Sequence, residues 1–115
     1  MSDQTITSLI EKLEGAEAGS TKLDCYVGLW ARTDGKGEIV IVSDKYVIKD
    51  AGGTYAAQPY TTSLDAALAL AERALGEEAA LDQLFAVLGT ERGGVKRIPL
   101  ALCAALLRAQ SEARV

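Results

Sequence analysis

The chain has 115 residues, 49% of them hydrophobic and 24% charged, with a formal net charge of -4. That length fits one domain, 1–115, able to bury roughly two-thirds of its unfolded surface, and so apolar a composition excludes a disordered chain. The negative charge argues against nonspecific nucleic-acid binding, and the apolar runs fall short of the ~20 residues a membrane helix needs.

In chain order, the first periodic segment carries Ile6, Leu9, Ile10 and Leu13 on one helical face, with Asp3 or Thr5 as caps and Gly15 as the stop. Ser20 or Thr21 caps a second helix, where Leu23, Val27 and Trp30 form a stripe and Tyr26 flanks it, before Asp34-Gly35-Lys36-Gly37 breaks the pattern. These two helices are expected to form a hairpin. Ile39-Val42, a turn at Ser43-Asp44-Lys45 and Tyr46-Ile48 then give the clear β signal, rich in β-branched residues. The first of these runs is apolar on both faces, which predicts a central strand covered by helices above and below.

Asp50 to Thr54 reads as a turn, with a short edge strand around Thr54-Tyr55-Ala56 and a loop through Pro59. Next comes an Ala/Leu helix capped by Thr62 or Ser63 and stopped by Gly76, with Asp65 in the first turn where the helix dipole favours it. Its Leu64, Leu68, Ala71 and Leu75 form the stripe expected to face the core, and the helix is expected to organise the fold and pack on the sheet. Leu81, Leu84, Phe85 and Leu88 predict a further helix ending at Gly89, with a buried strand at Leu84-Leu88 as the alternative. Thr90 to Arg97 is a basic loop. Pro99 opens a last helix bearing Leu100, Cys103, Ala104 and Leu107, which frays from Gln110. The whole reads as a mixed α/β fold in which a central sheet with a β-hairpin is covered by amphipathic helices.

Three blocks resemble a known family: Leu9-Glu14 with Lys22-Leu23-Asp24, then Tyr60-Leu68, then Pro99-Ala109. In content and order they are similar to the phage ABA sandwich domain, a family of small bacteriophage and prophage proteins, over about half of the chain. The resemblance implies a small α/β/α sandwich encoded on a phage or prophage. It transfers no catalytic residue. Where that family more often carries tryptophans and strand-like runs, Glu77 to Leu88 here reads as helix.

Chemistry is sparse. There is no histidine, and Cys25 and Cys103 stand alone, so neither a zinc site nor a cysteine–histidine pair can form, and both thiols are expected reduced and buried. Glu77 and Glu78 are adjacent and diverge by about 100° on a helix, unlike a catalytic carboxylate pair. With no phosphate loop or nucleophile elbow in the sequence, a non-enzymatic protein without metal or cofactor is expected. The start Met-Ser-Asp-Gln-Thr lacks the pattern of a secretory signal, which predicts a soluble protein of the host cytoplasm.

Two places invite a ligand. Tyr60-Thr61-Thr62-Ser63 brings hydroxyls, an aromatic ring and first-turn amides to a helix start, a setting for a phosphate beside a stacked base, against the plain reading of a helix cap. Arg92, Lys96 and Arg97 set three cations around two glycines, against the plain reading of a solvated loop. Trp30 is either a stacking ring or core. The expected role is sequestration of an anionic, nucleotide-derived immune signal in an anti-defence function. The alternative is a phage accessory or regulatory protein that binds a host or virion protein through a surface face. A twofold dimer is expected from the apolar surplus.

Overall fold

A computed structural model describes residues 2–33, 36–91 and 94–113. The elements run α1 (Ser2–Gly15), α2 (Thr21–Thr33), β1 (Glu38–Val42), β2 (Lys45–Asp50), β3 (Gly53–Tyr55), α3 (Leu64–Leu75), α4 (Glu77–Thr90), a 3-10 turn (Val95–Arg97) and α5 (Ile98–Ala113). Among the described residues this is the mixed α/β fold expected, five helices with a three-stranded antiparallel sheet.

The organising element is α5 rather than α3. Leu100, Leu102, Cys103, Ala104, Leu106 and Leu107 are all buried, so apolar residues occupy most of its circumference, as in a helix enclosed by neighbours. Those neighbours are α1, α2, α3 and α4. The first amphipathic face holds as read, with Ile6, Leu9, Ile10 and Leu13 buried, but α1 packs chiefly on α5 and touches α2 far less than a helical hairpin would. α1 begins at Ser2, so Asp3 and Thr5, the expected caps, lie within it. Ser20 caps α2, its hydroxyl accepting from the Leu23 amide at 3.2 Å.

The sheet is a meander in the order β1-β2-β3. Val42 faces Lys45, so the turn is the pair Ser43-Asp44, both with positive φ (51° and 66°), the conformation of a two-residue hairpin loop whose twist matches the strands. Asp50 closes the next turn by accepting from the Gly52 amide at 2.8 Å. One face of the sheet rests on α2, where Ile48 meets Cys25 and Leu29 with Ile39, Tyr46 and Tyr55 around them. The expectation for β1 is corrected here: it is an edge strand, and among the described residues the only helix packed on it is α2, while Ile41 and Val42 stay 64% and 50% exposed. α3, likewise, packs on α5, α4 and α2 and, among the described residues, not on the sheet.

Within α3 the buried stripe is Ala67, Leu70 and Ala71, while Leu68 is half-buried and Leu64 is exposed. The helix is rotated from the expected stripe, so that Leu70 joins Ala67 and Ala71 inside while Leu64 and Leu68 lie at the margin. Gly76, with φ 93°, ends α3 by donating its amide to Glu72 O at 2.9 Å and in the same step opens α4. α4 is helical through Thr90, which excludes the strand alternative. Its side toward α5 carries Ala80 and Val87. Three of the four residues read as its core stripe, Leu81, Phe85 and Leu88, lie on the outer surface instead, 41%, 66% and 51% exposed, and Leu84 is half-buried.

Candidate functional site

The helix start at Tyr60-Ser63 is a structural joint. Tyr60 is buried and its carbonyl accepts the Cys103 thiol at 3.3 Å. Thr61 is completely buried against the link between α1 and α2. Its amide and its hydroxyl both donate to Asp24 Oδ1, at 2.7 and 2.6 Å, and its Oγ1 accepts the Ser20 amide at 3.0 Å. Gly19 is obligatory beside it, because a Cβ there would stand 2.4 Å from the Thr61 carbonyl oxygen. Asp24 is itself buried in the first turn of α2, where the helix dipole favours a carboxylate. Ser63 is the N-cap of α3, its hydroxyl accepting from the Ala66 amide at 3.3 Å, and the amides of Thr62 and Ser63 both donate to Pro59 O. Thr62 is exposed.

The basic segment folds as a clasp. Arg97 Nε donates to Glu91 Oε1 at 2.8 Å, its Nη2 donates to Glu14 O at 2.8 Å and its Nη1 to Ala16 O. The guanidinium thus fastens one carbonyl in the last turn of α1 and one just beyond it, and sits where a helix C-terminus favours a cation. Lys96 is exposed on the 3-10 turn, and Arg92 lies outside the described residues. Thr61 and Arg97, one from each of the two places expected to hold a ligand, are drawn to the two ends of the same link: Arg97 holds Glu14 and Ala16, Thr61 holds Ser20. Trp30 is buried in the core, and its indole N–H has no acceptor among the described residues.

Two surface hollows lie close to these residues. One, of about 410 Å³, runs between α4 and α5, floored by Ala101, Ala104 and Ala105 and edged by the ion pairs Arg108–Glu14 (2.6 Å) and Arg97–Glu91 (2.8 Å). The other, of about 570 Å³, lies between the start of α2 and the hairpin turn, where Lys22 stands 5.8 Å from the ring centre of Tyr46. Both thiols are inert: burial pushes Cys103 and Cys25 above the ordinary thiol range, and nearby Asp24 adds to the shift in each. Among the described residues no group of histidine, cysteine or carboxylate side chains is arranged to hold a metal, and no helix is long and apolar enough to cross a membrane.

What the sequence reading missed is the outer face of α4. Phe85 is the chain's single phenylalanine, and it points outward between Leu81 and Leu88. Glu77, Glu78 and Asp82 are exposed on the same helix, which carries no basic residue. The signal was present: Ala80, Leu84 and Val87 repeat at the same helical spacing as the larger residues, and only the packing of α4 on α3 and α5 decides which set goes inward. No family model matches the chain, and comparison with curated proteins and with solved structures finds no match either.

Proposed function

We propose that this chain is a non-enzymatic binding module whose working surface is the outer face of α4, a protein-binding accessory factor rather than a carrier of a small anion. One observation carries the reading: Leu81, Phe85 and Leu88 stand exposed together on a helix whose buried residues are Ala80 and Val87. Three large apolar side chains on one helical face form a patch suited to a partner's apolar anchors, each contributing about 1–2 kcal/mol when covered. The flanking Glu77, Glu78 and Asp82 favour a cationic, amphipathic segment. The blocks shared with the phage ABA sandwich domain add a phage or prophage context to this proposal. Sequestration of a nucleotide-derived signal is the weaker reading, because Thr61 and Arg97 spend their hydrogen bonds inside the fold.

The test uses a synthetic amphipathic helix of alternating leucine and lysine faces, titrated by calorimetry against the chain and against Phe85→Asp/Leu88→Asp. Binding weakened about tenfold or more in the variant, with its melting curve unchanged, supports the reading. Equal binding by both proteins overturns it, as does a melting temperature raised by cyclic or linear nucleotides and indifferent to the peptide.

A further inference from the structure

We infer that the chain pairs with a second copy of itself through the free edge of β1, forming one continuous six-stranded antiparallel sheet across a twofold axis at Val40. β1 pairs with β2 alone among the described residues, and of its five residues only Glu38 is charged. No proline, bulge or inward charge guards this edge, unlike the edges of most sheets that stay single.

The backbone dictates which groups are free. Val42 and Lys45 flank a two-residue loop, so they form a hydrogen-bonded pair, and the alternation of an antiparallel ladder makes Val40–Val47 and Glu38–Lys49 hydrogen-bonded pairs as well. The N–H and C=O groups of Ile39 and Ile41 therefore point away from β2. Outward groups meet outward groups only when a second β1 is centred on Ile39, Val40 or Ile41. Centring on Val40 joins all five residues, with Ile39 of each copy bonded to Ile41 of the other.

Charge selects the same register. With Val40 on the axis, Lys36 of one copy lies opposite Asp44 of the other, and this happens twice; both residues are exposed. Centring on Ile41 would instead set Glu38 against Asp44, and centring on Ile39 would pair only three strand residues and leave Asp44 without Lys36. Side chains agree. Ile39 belongs to the small core beneath α2, and Ile41, 64% exposed, lies on the same sheet face two residues on. In the dimer each Ile41 is covered by the other copy's Ile39, and the two small cores become continuous. β1 thereby gains the central position that an Ile-Val-Ile-Val strand demands.

The experiment combines sedimentation equilibrium with amide exchange on the full chain. The average mass should rise with concentration, and the amides of Ile39 and Ile41 should gain protection as it does, while those of Val40 and Val42 stay protected at every concentration. Ile41→Pro removes an outward N–H without touching the β2 ladder and should weaken the dimer about tenfold or more. Lys36→Asp and Asp44→Lys should each weaken it by setting like charges opposite, and an equimolar mixture of the two variants should restore association, with circular dichroism checking that each is folded. A monomer mass at all concentrations overturns the inference. So does a dimer whose Ile39 and Ile41 amides exchange freely, or one abolished by Phe85→Asp and indifferent to Ile41→Pro.

Discussion

Thr61 and Asp24, 37 residues apart, are joined by two hydrogen bonds to one carboxylate oxygen, at 2.7 Å from the amide and 2.6 Å from the hydroxyl. The contact welds the entry to α3 onto the first turn of α2, and the Ser20 amide, donating to Thr61 Oγ1 at 3.0 Å, completes it. A buried carboxylate is tolerated only when its lone pairs are occupied, and here the sequence supplies donors from a single threonine.

Thr61→Val should therefore destabilise the chain by about 1.5–3 kcal/mol, the range for a hydrogen bond to a charged group. Asp24→Ala should cost less than that range's upper end, because the freed Thr61 hydroxyl has a second acceptor in Ser20 O at 3.2 Å. The double variant should lose less than the sum of the two. Urea denaturation of all four proteins measures the coupling; additive losses would mean that the two side chains act independently.

Arg97 yields a prediction opposite to the one its sequence context suggests. As a loop cation awaiting a ligand it would be replaceable without effect on stability. As the clasp on Glu14 O and Ala16 O it is not, and Arg97→Gln should lower stability by about 2–3 kcal/mol. Lys96→Gln, one residue away and exposed, should stay within about 0.5 kcal/mol. Thermal melts of the pair decide the matter: equal melting temperatures would refute the clasp.

The burial pattern of α3 gives a third. Leu70 is 4% exposed and sits between Ala67 and Ala71 in the core, so Leu70→Ala should cost about 2–5 kcal/mol, whereas half-buried Leu68 should cost clearly less. A larger loss at Leu68 would restore the stripe that periodicity alone suggested.

That stripe shows how far the sequence could be read. Helix and strand identities followed from period, caps and turn residues: Ser63 and Gly76 bound α3, and Ser43-Asp44 turn the hairpin. Which side of an apolar helix faces inward depends on its neighbour, and a long-range partner leaves no mark on local spacing. In α3 and α4 alanines compete with leucines for the interior: Ala67, Leu70 and Ala71 go inward in α3, and Ala80 and Val87 in α4. The same limit hid the roles of Thr61 and Arg97, whose hydrogen-bonding groups are those of a phosphate site but whose partners lie 37 and more than 80 residues away.

The last prediction concerns pH. Burial, with Asp24 adding its negative charge, raises the Cys103 thiol well above its ordinary value, so in the folded chain it stays protonated in mild alkali while the unfolded chain ionises near pH 8.5. A group whose folded pKa is raised contributes stability that is fully present below the unfolded pKa and lost as pH climbs above it. From about pH 8.5 upward the unfolded state binds fewer protons than the folded one, and stability should fall by up to about 1.4 kcal/mol per pH unit for this thiol. Cys25, raised by the same desolvation, adds to the slope in the same direction. Cys103→Ser keeps a small group able to donate to Tyr60 O and removes the ionisable proton from this range, so its stability curve between pH 8.5 and 10 should be shallower than that of the unaltered chain. Urea titrations under reducing conditions at half-unit intervals give both curves, and a thiol reagent should label Cys103 only as the chain unfolds. Parallel curves, or labelling of Cys103 at the rate of a free thiol in the folded protein, would show that the sulfur is not sealed beneath Tyr60.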